Sequence, residues 1–309
     1  MHKTSPAEHP TSLVPPHGGT LAECIATGAE AEDVAARAGT LPSLALDPGE
    51  LLDLDLVASG GASPVRGFLG HEDYRAVLGQ RRLASGTLFP LPITAAVTIE
   101  RLGEFPPGTE VALRSANGAL RGLLTVREAF VRDLREEAWV THGTDDPSVP
   151  GVRSLLSRPP GALGGEVRVL RPAGRRFETA REVRLRLAAD GYLRVAAGLG
   201  AGLVEAARSA ASHVDALLTP VLLSEVDMAP PLPVVGASLP LPRRRSGARE
   251  ALLEAIVLRN FGVSHLVLGS ARTDLKTADA LLRHQADLGL SFLRGEGYGI
   301  PWRSGRSVA

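Results

Sequence analysis

Apolar positions follow one rhythm in the first half of the chain and another in the second. Ala22–Ala38 carries apolar residues at helical spacing and stops at Gly39, which predicts a helix. "DPGELLDLDLVASGG" predicts a second helix, opened by Asp47 or Pro48 and closed by Gly60–Gly61, and "HEDYRAVL" predicts a third. From Leu88 the pattern shifts to short runs with β-branched residues: "LFPLPITAAVTI", "TEVALRSANGALRGLLTVREAFV" and "GEVRVL". "SANG" supplies a turn, so Val111–Leu113 and Leu120–Val126 are expected to pair as a hairpin. This half reads as α+β with a mostly antiparallel, barrel-like sheet, and "PAGRR" (Pro172–Arg176) reads as a linker.

Beyond the linker, strand and helix patterns alternate. Helices are expected over Thr179–Ala189, Gly202–Ser212, Ala248–Phe261 and Thr277–Leu288. Strands are expected over Tyr192–Ala197, Ala216–Leu222 and His265–Gly269. Such alternation with short buried strands implies a parallel sheet with helices on both faces. Ligands of these sheets bind outside the carboxyl ends of the strands, where the loops after Ala197 and before Gly269 would lie. The organisation is therefore a polar tail at 1–12, a first domain at 13–171 and a second at 172–309.

Composition narrows the function. With 34 basic and 34 acidic residues the formal net charge is zero, which argues against a general nucleic-acid or anionic-membrane binder. The Pro-rich N-terminus has no apolar leader core, and no segment approaches membrane-spanning length, so a cytoplasmic location is expected. Cys24 is the single cysteine, which excludes an internal disulfide and reads as a small buried residue. His17 in "PPHGG" reads as a hydrogen-bonded loop residue. His142, His213 and His265 lie on different elements without metal-ligand spacing, so no metal site is assigned.

"LRVAAGLGAGLVEAARSAA" (Leu193–Ala211) has the strand, glycine turn and helix of a phosphate loop, where backbone N–H groups meet an anion at a helix N-terminus. Yet Gly198-x-Gly200 lacks the third glycine, since Leu203 stands there, and no acidic residue follows to hold a ribose. Taken alone, the stretch is a tight strand-to-helix turn.

Longer stretches carry more. "LVPPHGGTL", "DLDLVASGGASPVRGFLGHEDYRAVL" with "RLASGTLFPLPITAAV", "HGTDDPSVPGVRSLL", "GGEVRVL", "HVDALLTPVL" and "GAREALLEAIVLRNFGVSHLVLG" are collinear with one family. The chain resembles the ATP sulfurylases (sulfate adenylyltransferases). The resemblance implies a PUA-like β-barrel domain followed by a Rossmann-like nucleotidyltransferase domain. The family's reaction joins sulfate to the α-phosphate of Mg-ATP, giving adenosine 5′-phosphosulfate (APS) and pyrophosphate. Charge builds on that phosphate, so fixed cationic and hydrogen-bonding groups are required around it.

The family supplies these from a Q-T-R-N-P-x-H-R-A-H loop. On this chain the glutamine and threonine fall at Arg194 and Val195, the arginine and asparagine at Ala196 and Ala197, the proline at Gly198, and the two histidines at Gly200 and Leu203. No histidine lies between Gly191 and Ser212 to restore them in another register. The second signature, G-R-D-H-A-G, falls on Gly269 to Asp274 and keeps only its first glycine. By contrast A-M-R-Y-A-G-P-R-E falls on Pro242 to Glu250, where Arg244, Gly247, Arg249 and Glu250 match. Surface arginines and a retained anion grip both remain open for that segment. The family also continues past "LGLSFLRGEGYG", so the resemblance implies a shortened C-terminal portion here.

Three readings follow. The first is a catalytically impaired family member that acts by binding APS, a nucleotide, sulfate, another copy of itself or an active sulfurylase. In the second, an adenylyltransferase survives with altered chemistry. The amides of Gly198, Gly200 and Gly202 would cradle phosphate, beside Gly247, Arg249 and Gly269, with Arg194, Arg244 and Arg272 as substitute cations. The third is a structural or interaction module. No catalytic residue and no cofactor is assigned, and Mg-ATP or APS is the ligand the resemblance leaves open.

Overall fold

A computed structural model describes residues 12–171, 178–191, 195–198, 217–218, 244, 246–268 and 275–294. The expected helix over 22–38 begins late. Ile25–Ala26 is a strand (β1), and helix Ala29–Arg37 (α1) starts after Gly28, whose φ of +55° breaks the backbone direction. Strand Ser43–Ala45 (β2) leads to helix Pro48–Ala58 (α2). There Asp47 accepts from the Glu50 N–H and Glu50 returns the bond to the Asp47 N–H, both at 2.8 Å. Strand Gly67–Phe68 (β3) and helix His71–Gln80 (α3) follow.

Only Ala95–Val97 (β4) of the "LFPLPITAAVTI" run is a strand, because Pro90 and Pro92 cannot donate to a ladder. The hairpin forms as expected from Glu110–Arg114 (β5) and Leu120–Val131 (β6) around "SANG". Helices Leu134–His142 (α4) and Pro150–Leu156 (α5) separate it from strand Gly161–Leu170 (β7).

β7 organises the first sheet. One side pairs with β6 over its whole length, and the other is shared end to end by β4, β3 and β1. Gly165 sits where three backbones meet, and a Cβ there would lie 2.0 Å from the Thr125 carbonyl oxygen. The order is β1-β7-β6-β5-β2, with β1 and β2 added parallel to an antiparallel centre. A closed barrel was the expectation, and the pairing gives an open sheet instead. The outer strands span two or three residues each, too short for the two edges to meet.

In the second half, helix Ala180–Ala189 (α6) opens with a Thr179–Glu182 capping box. Strands Val195–Gly198 (β8), Leu217–Leu218 (β9), His265–Leu268 (β10) and Ser291–Arg294 (β11) form a parallel sheet ordered β11-β10-β8-β9. Helix Ala248–Asn260 (α7) is buried along almost its entire length. The helix expected over 277–288 divides at His284 into Leu275–Arg283 (α8) and Gln285–Leu288 (α9). Expected elements over 202–212 and most of 216–222, and the linker at 172–176, lie outside the described residues.

One hydrophobic cluster runs through both halves, from Cys24 and Leu54 to Phe261 and Leu290. Asn260 at the end of α7 joins it to the N-terminal loops. Its amide donates to Gly61 and Ser63 carbonyls at 2.8 and 3.1 Å, and its oxygen accepts from the His17 N–H at 2.8 Å. His17 is buried, its Nε2 lies 2.7 Å from the Leu88 carbonyl oxygen, and burial holds its pKa below the usual value. Cys24 is likewise buried, with its thiol pushed up to about 11 by desolvation.

Candidate functional site

The parallel sheet places its own site. β8 lies between β9 and β10, so the chain leaves β8 toward one side, then crosses back to build β10 and β11 on the other. That reversal is a topological switch point, where open α/β sheets form a crevice beyond the strand carboxyl ends. Gly198 at the end of β8 is in register with Val267, one residue before the end of β10. The segments that follow Gly198 and Leu268 therefore leave from neighbouring positions on one edge. These are the two segments that the sequence singled out, about 70 residues apart along the chain and adjacent in the fold. Of the candidates there, Gly198 belongs to β8, while Arg194, Gly200, Gly202, Leu203, Gly269 and Arg272 lie outside the described residues.

Arg244, Gly247 and Arg249 are described, and they bind the two halves together. Arg244 extends to α2, where its Nη2 lies 2.5 Å from both carboxylate oxygens of Asp53, and its Nη1 donates to the Pro92 carbonyl. Asp53 is 1% exposed; burial pushes its carboxyl above the ordinary range, and the Arg244 charge opposes that push. Gly247 caps α7 with φ +55°, a conformation that L side chains rarely adopt. Two residues on, Arg249 turns into the first half and donates to the carbonyls of Val77, Leu78 and Pro90 at 3.1, 2.9 and 2.8 Å. Two of these belong to the last turn of α3, where a cation also meets the negative end of the helix dipole. Burial and the nearby Arg81 charge hold the Arg249 guanidinium down at about 10. Glu250 completes the turn by accepting from the Ser246 N–H at 3.1 Å.

Beside this junction lies a cavity of about 350 Å³, walled by α2, α4, α5 and the chain at Arg244 and Ser246. Its charged lining is two carboxylates, Asp53 and Glu137, and two guanidinium groups, Arg158 and Arg244. Beneath it Glu50 is buried and accepts from the Ala96 N–H at 2.6 Å. Desolvation, reinforced by Asp47, raises the Glu50 carboxyl to about 7 against its two backbone hydrogen bonds and Arg158. The sequence gave no sign of this cavity. Its polar residues come from four separate elements and share no motif.

Comparison with known proteins adds the missing term. Residues 14–172 match a family described as a PUA-like domain, and residues 213–286 match the ATP-sulfurylase family. A sulfate adenylyltransferase of Symbiobacterium thermophilum is 34% identical over 284 residues, covering 83% of this chain and 72% of that protein.

The chain belongs to the ATP sulfurylase family.

Other relatives agree: a sulfate adenylyltransferase of Synechococcus sp. is 31% identical over 83% of this chain and 72% of its own length. One of Coccidioides immitis is 33% identical over 82% of this chain and 50% of its own length. Among solved structures, a hexameric APS kinase from Thiobacillus denitrificans superposes with a TM-score of 0.67 at 24% identity, covering 92% of this chain and 57% of that one. That likeness shows the fold. Within an ATP sulfurylase frame, Arg244, Gly247 and Arg249 are the positions that match the family and also fasten α7 to the first half. No helix among the described residues is long and apolar enough to cross a membrane, and no described group of three His, Cys, Asp or Glu residues is placed to hold a metal.

Proposed function

We propose that this ATP-sulfurylase-like protein serves sulfate activation by binding a ligand or partner, with adenylyl transfer strongly reduced. The observation that carries this reading is the residue content of the two switch-point segments. Where the family places its two histidines the chain has Gly200 and Leu203, and where it places arginine, aspartate and histidine the chain has Ser270, Ala271 and Arg272. None of the first four can donate a charged hydrogen bond to a phosphate. Removal of one transition-state donor typically lowers a rate by about 100- to 1,000-fold. Losses at several positions overlap, yet together they leave little turnover.

The frame around these positions supports binding. The β8–β10 crevice and the glycines at 198, 200 and 202 suit backbone recognition of a phosphate, which needs no side chain. APS, which spans nucleotide and sulfate subsites, is the ligand of first choice, and Mg-ATP the second. The partner is a second copy of the chain or an active sulfurylase, in the cytoplasm. The competing reading, an adenylyltransferase making APS and pyrophosphate with Arg194, Arg244 and Arg272 as cations, draws on the same crevice. The Arg244 guanidinium is already engaged by Asp53, which weighs against that use.

Calorimetric titration of the folded full chain with APS, and separately with Mg-ATP, tests the proposal. Micromolar APS binding without measurable APS synthesis is the expected result. Turnover comparable to that of the Symbiobacterium relative would refute it.

A further inference from the structure

The cavity between α2, α4, α5 and Ser246 is not part of the β8–β10 crevice, and its lining has unused hydrogen-bonding capacity. Ser246 is 7% exposed, lines the cavity, and its Oγ has no hydrogen-bond partner at all. A hydroxyl buried without a partner costs about 1–3 kcal/mol, so such groups are ordinarily matched by protein, water or ligand. Two charged groups beside it are half satisfied. Arg158 engages Asp47 through Nε and Nη2 at 2.9 and 3.1 Å, which leaves Nη1 without a partner among the described residues. Glu137 accepts from the Tyr74 hydroxyl on Oε2 at 2.9 Å, and its Oε1 has no partner among the described residues.

We infer that this cavity binds a free α-amino acid with an apolar side chain. A carboxylate would be held by Arg158 Nη1 and the Ser246 hydroxyl, an ammonium by Glu137 Oε1, and the side chain by Leu52, Leu91 and Leu155. Charge balance selects the class. A site with two carboxylates and two guanidinium groups offers a lone anion or a lone cation as much repulsion as attraction, whereas a zwitterion matches both poles. The volume, about 350 Å³, is at the small end of ligand cavities and suits a molecule of this size. The cavity also touches Arg244 and Ser246, so its occupant would bear on the start of α7. The inference is independent of whether the β8–β10 crevice retains catalysis.

The test is calorimetric titration of the full chain with L-leucine, with 4-methylpentanoate (the same carboxylate without the amine) and with isoamylamine (the same amine without the carboxylate). L-Leucine is expected to bind at micromolar to low-millimolar concentration, with each truncated analogue at least tenfold weaker. Glu137→Gln is expected to weaken L-leucine at least tenfold while leaving 4-methylpentanoate unchanged. Because Glu137 is buried, Ser246→Ala serves as the second variant. It removes no hydrogen bond in the free protein, so it folds normally, and it is expected to weaken L-leucine and 4-methylpentanoate about fivefold each. Absence of L-leucine binding, equal affinity for L-leucine and an analogue, or unchanged affinity in Ser246→Ala would overturn the inference.

Discussion

Arg244 and Asp53 lie 191 residues apart in sequence and meet through two 2.5 Å contacts at the junction of the two halves. The pair explains how a segment matching a nucleotidyltransferase motif can persist where the catalytic side chains do not. Its arginine holds α2 against the chain entering α7, a task unrelated to adenylyl transfer.

Breaking the pair from one side should be costly. Arg244→Met leaves the Asp53 carboxylate buried without its counter-charge and is expected to lower unfolding free energy by about 3–5 kcal/mol. Burial then pushes the Asp53 carboxyl up unopposed, so the loss should be larger at pH 8 than at pH 5, where protonation relieves it. Adding Asp53→Leu should restore most of the loss. Urea unfolding at both pH values measures all three variants, and additive losses in the double variant would contradict the pairing.

Arg249 makes a related prediction. Its guanidinium alone serves three carbonyls, two of them in α3, so Arg249→Met should cost about 3 kcal/mol. Arg249→Lys should recover little, because a single ammonium cannot reproduce the planar fork. Hydrogen exchange should show the damage concentrated at the end of α3, and uniform loosening would argue for a different role.

Glu50 gives a pH signature. Its folded pKa of about 7 lies above the ordinary 4.5, so the folded state binds the extra proton. The corresponding stabilisation, on the order of 3 kcal/mol, is fully present below pH 4.5 and is lost as pH rises through about 7. In Glu50→Gln this slope should vanish, so the variant should gain on the parent by about that amount between pH 4.5 and pH 8. His17 acts in the opposite direction, since its lowered pKa makes folding more favourable as pH rises, but it is common to both proteins and cancels. Parallel stability profiles for parent and variant would contradict the assignment.

Restoring two side chains should not restore the enzyme. Gly200→His with Leu203→His returns the family's histidines, yet Ser270 and Ala271 still stand where arginine and aspartate are required. The double variant is expected to gain less than tenfold in APS synthesis, on the scale where one donor is worth about 100-fold. A gain of two orders of magnitude would show that the rest of the pocket is intact.

Local signals in the sequence specified local structure well. The Asp47–Glu50 capping box, the "SANG" hairpin and the strand–helix alternation of the second half each appear where their residues place them. Tertiary partners decided the rest. Ile25–Ala26 has helical neighbours but pairs with β7, and the helix after Thr277 breaks at His284, beside the Arg82–Asp287 contact at 2.7 Å. The same divide runs through the site. Arg244 and Arg249 stood out by motif, but their use as clamps depends on Asp53 and on α3 carbonyls that no spacing connects to them. Glu137, Arg158 and Ser246 carried no signal at all.

The central claim is that the frame of an ATP sulfurylase persists here without its catalytic groups. Its most direct test is the initial rate of APS synthesis from Mg-ATP and sulfate by the folded full chain, measured beside the Symbiobacterium enzyme by pyrophosphate release. The account predicts a rate below a hundredth of that relative's, on the scale of a single lost transition-state donor. A rate within tenfold of it would contradict the account and make the substitute arginines the centre of a different mechanism.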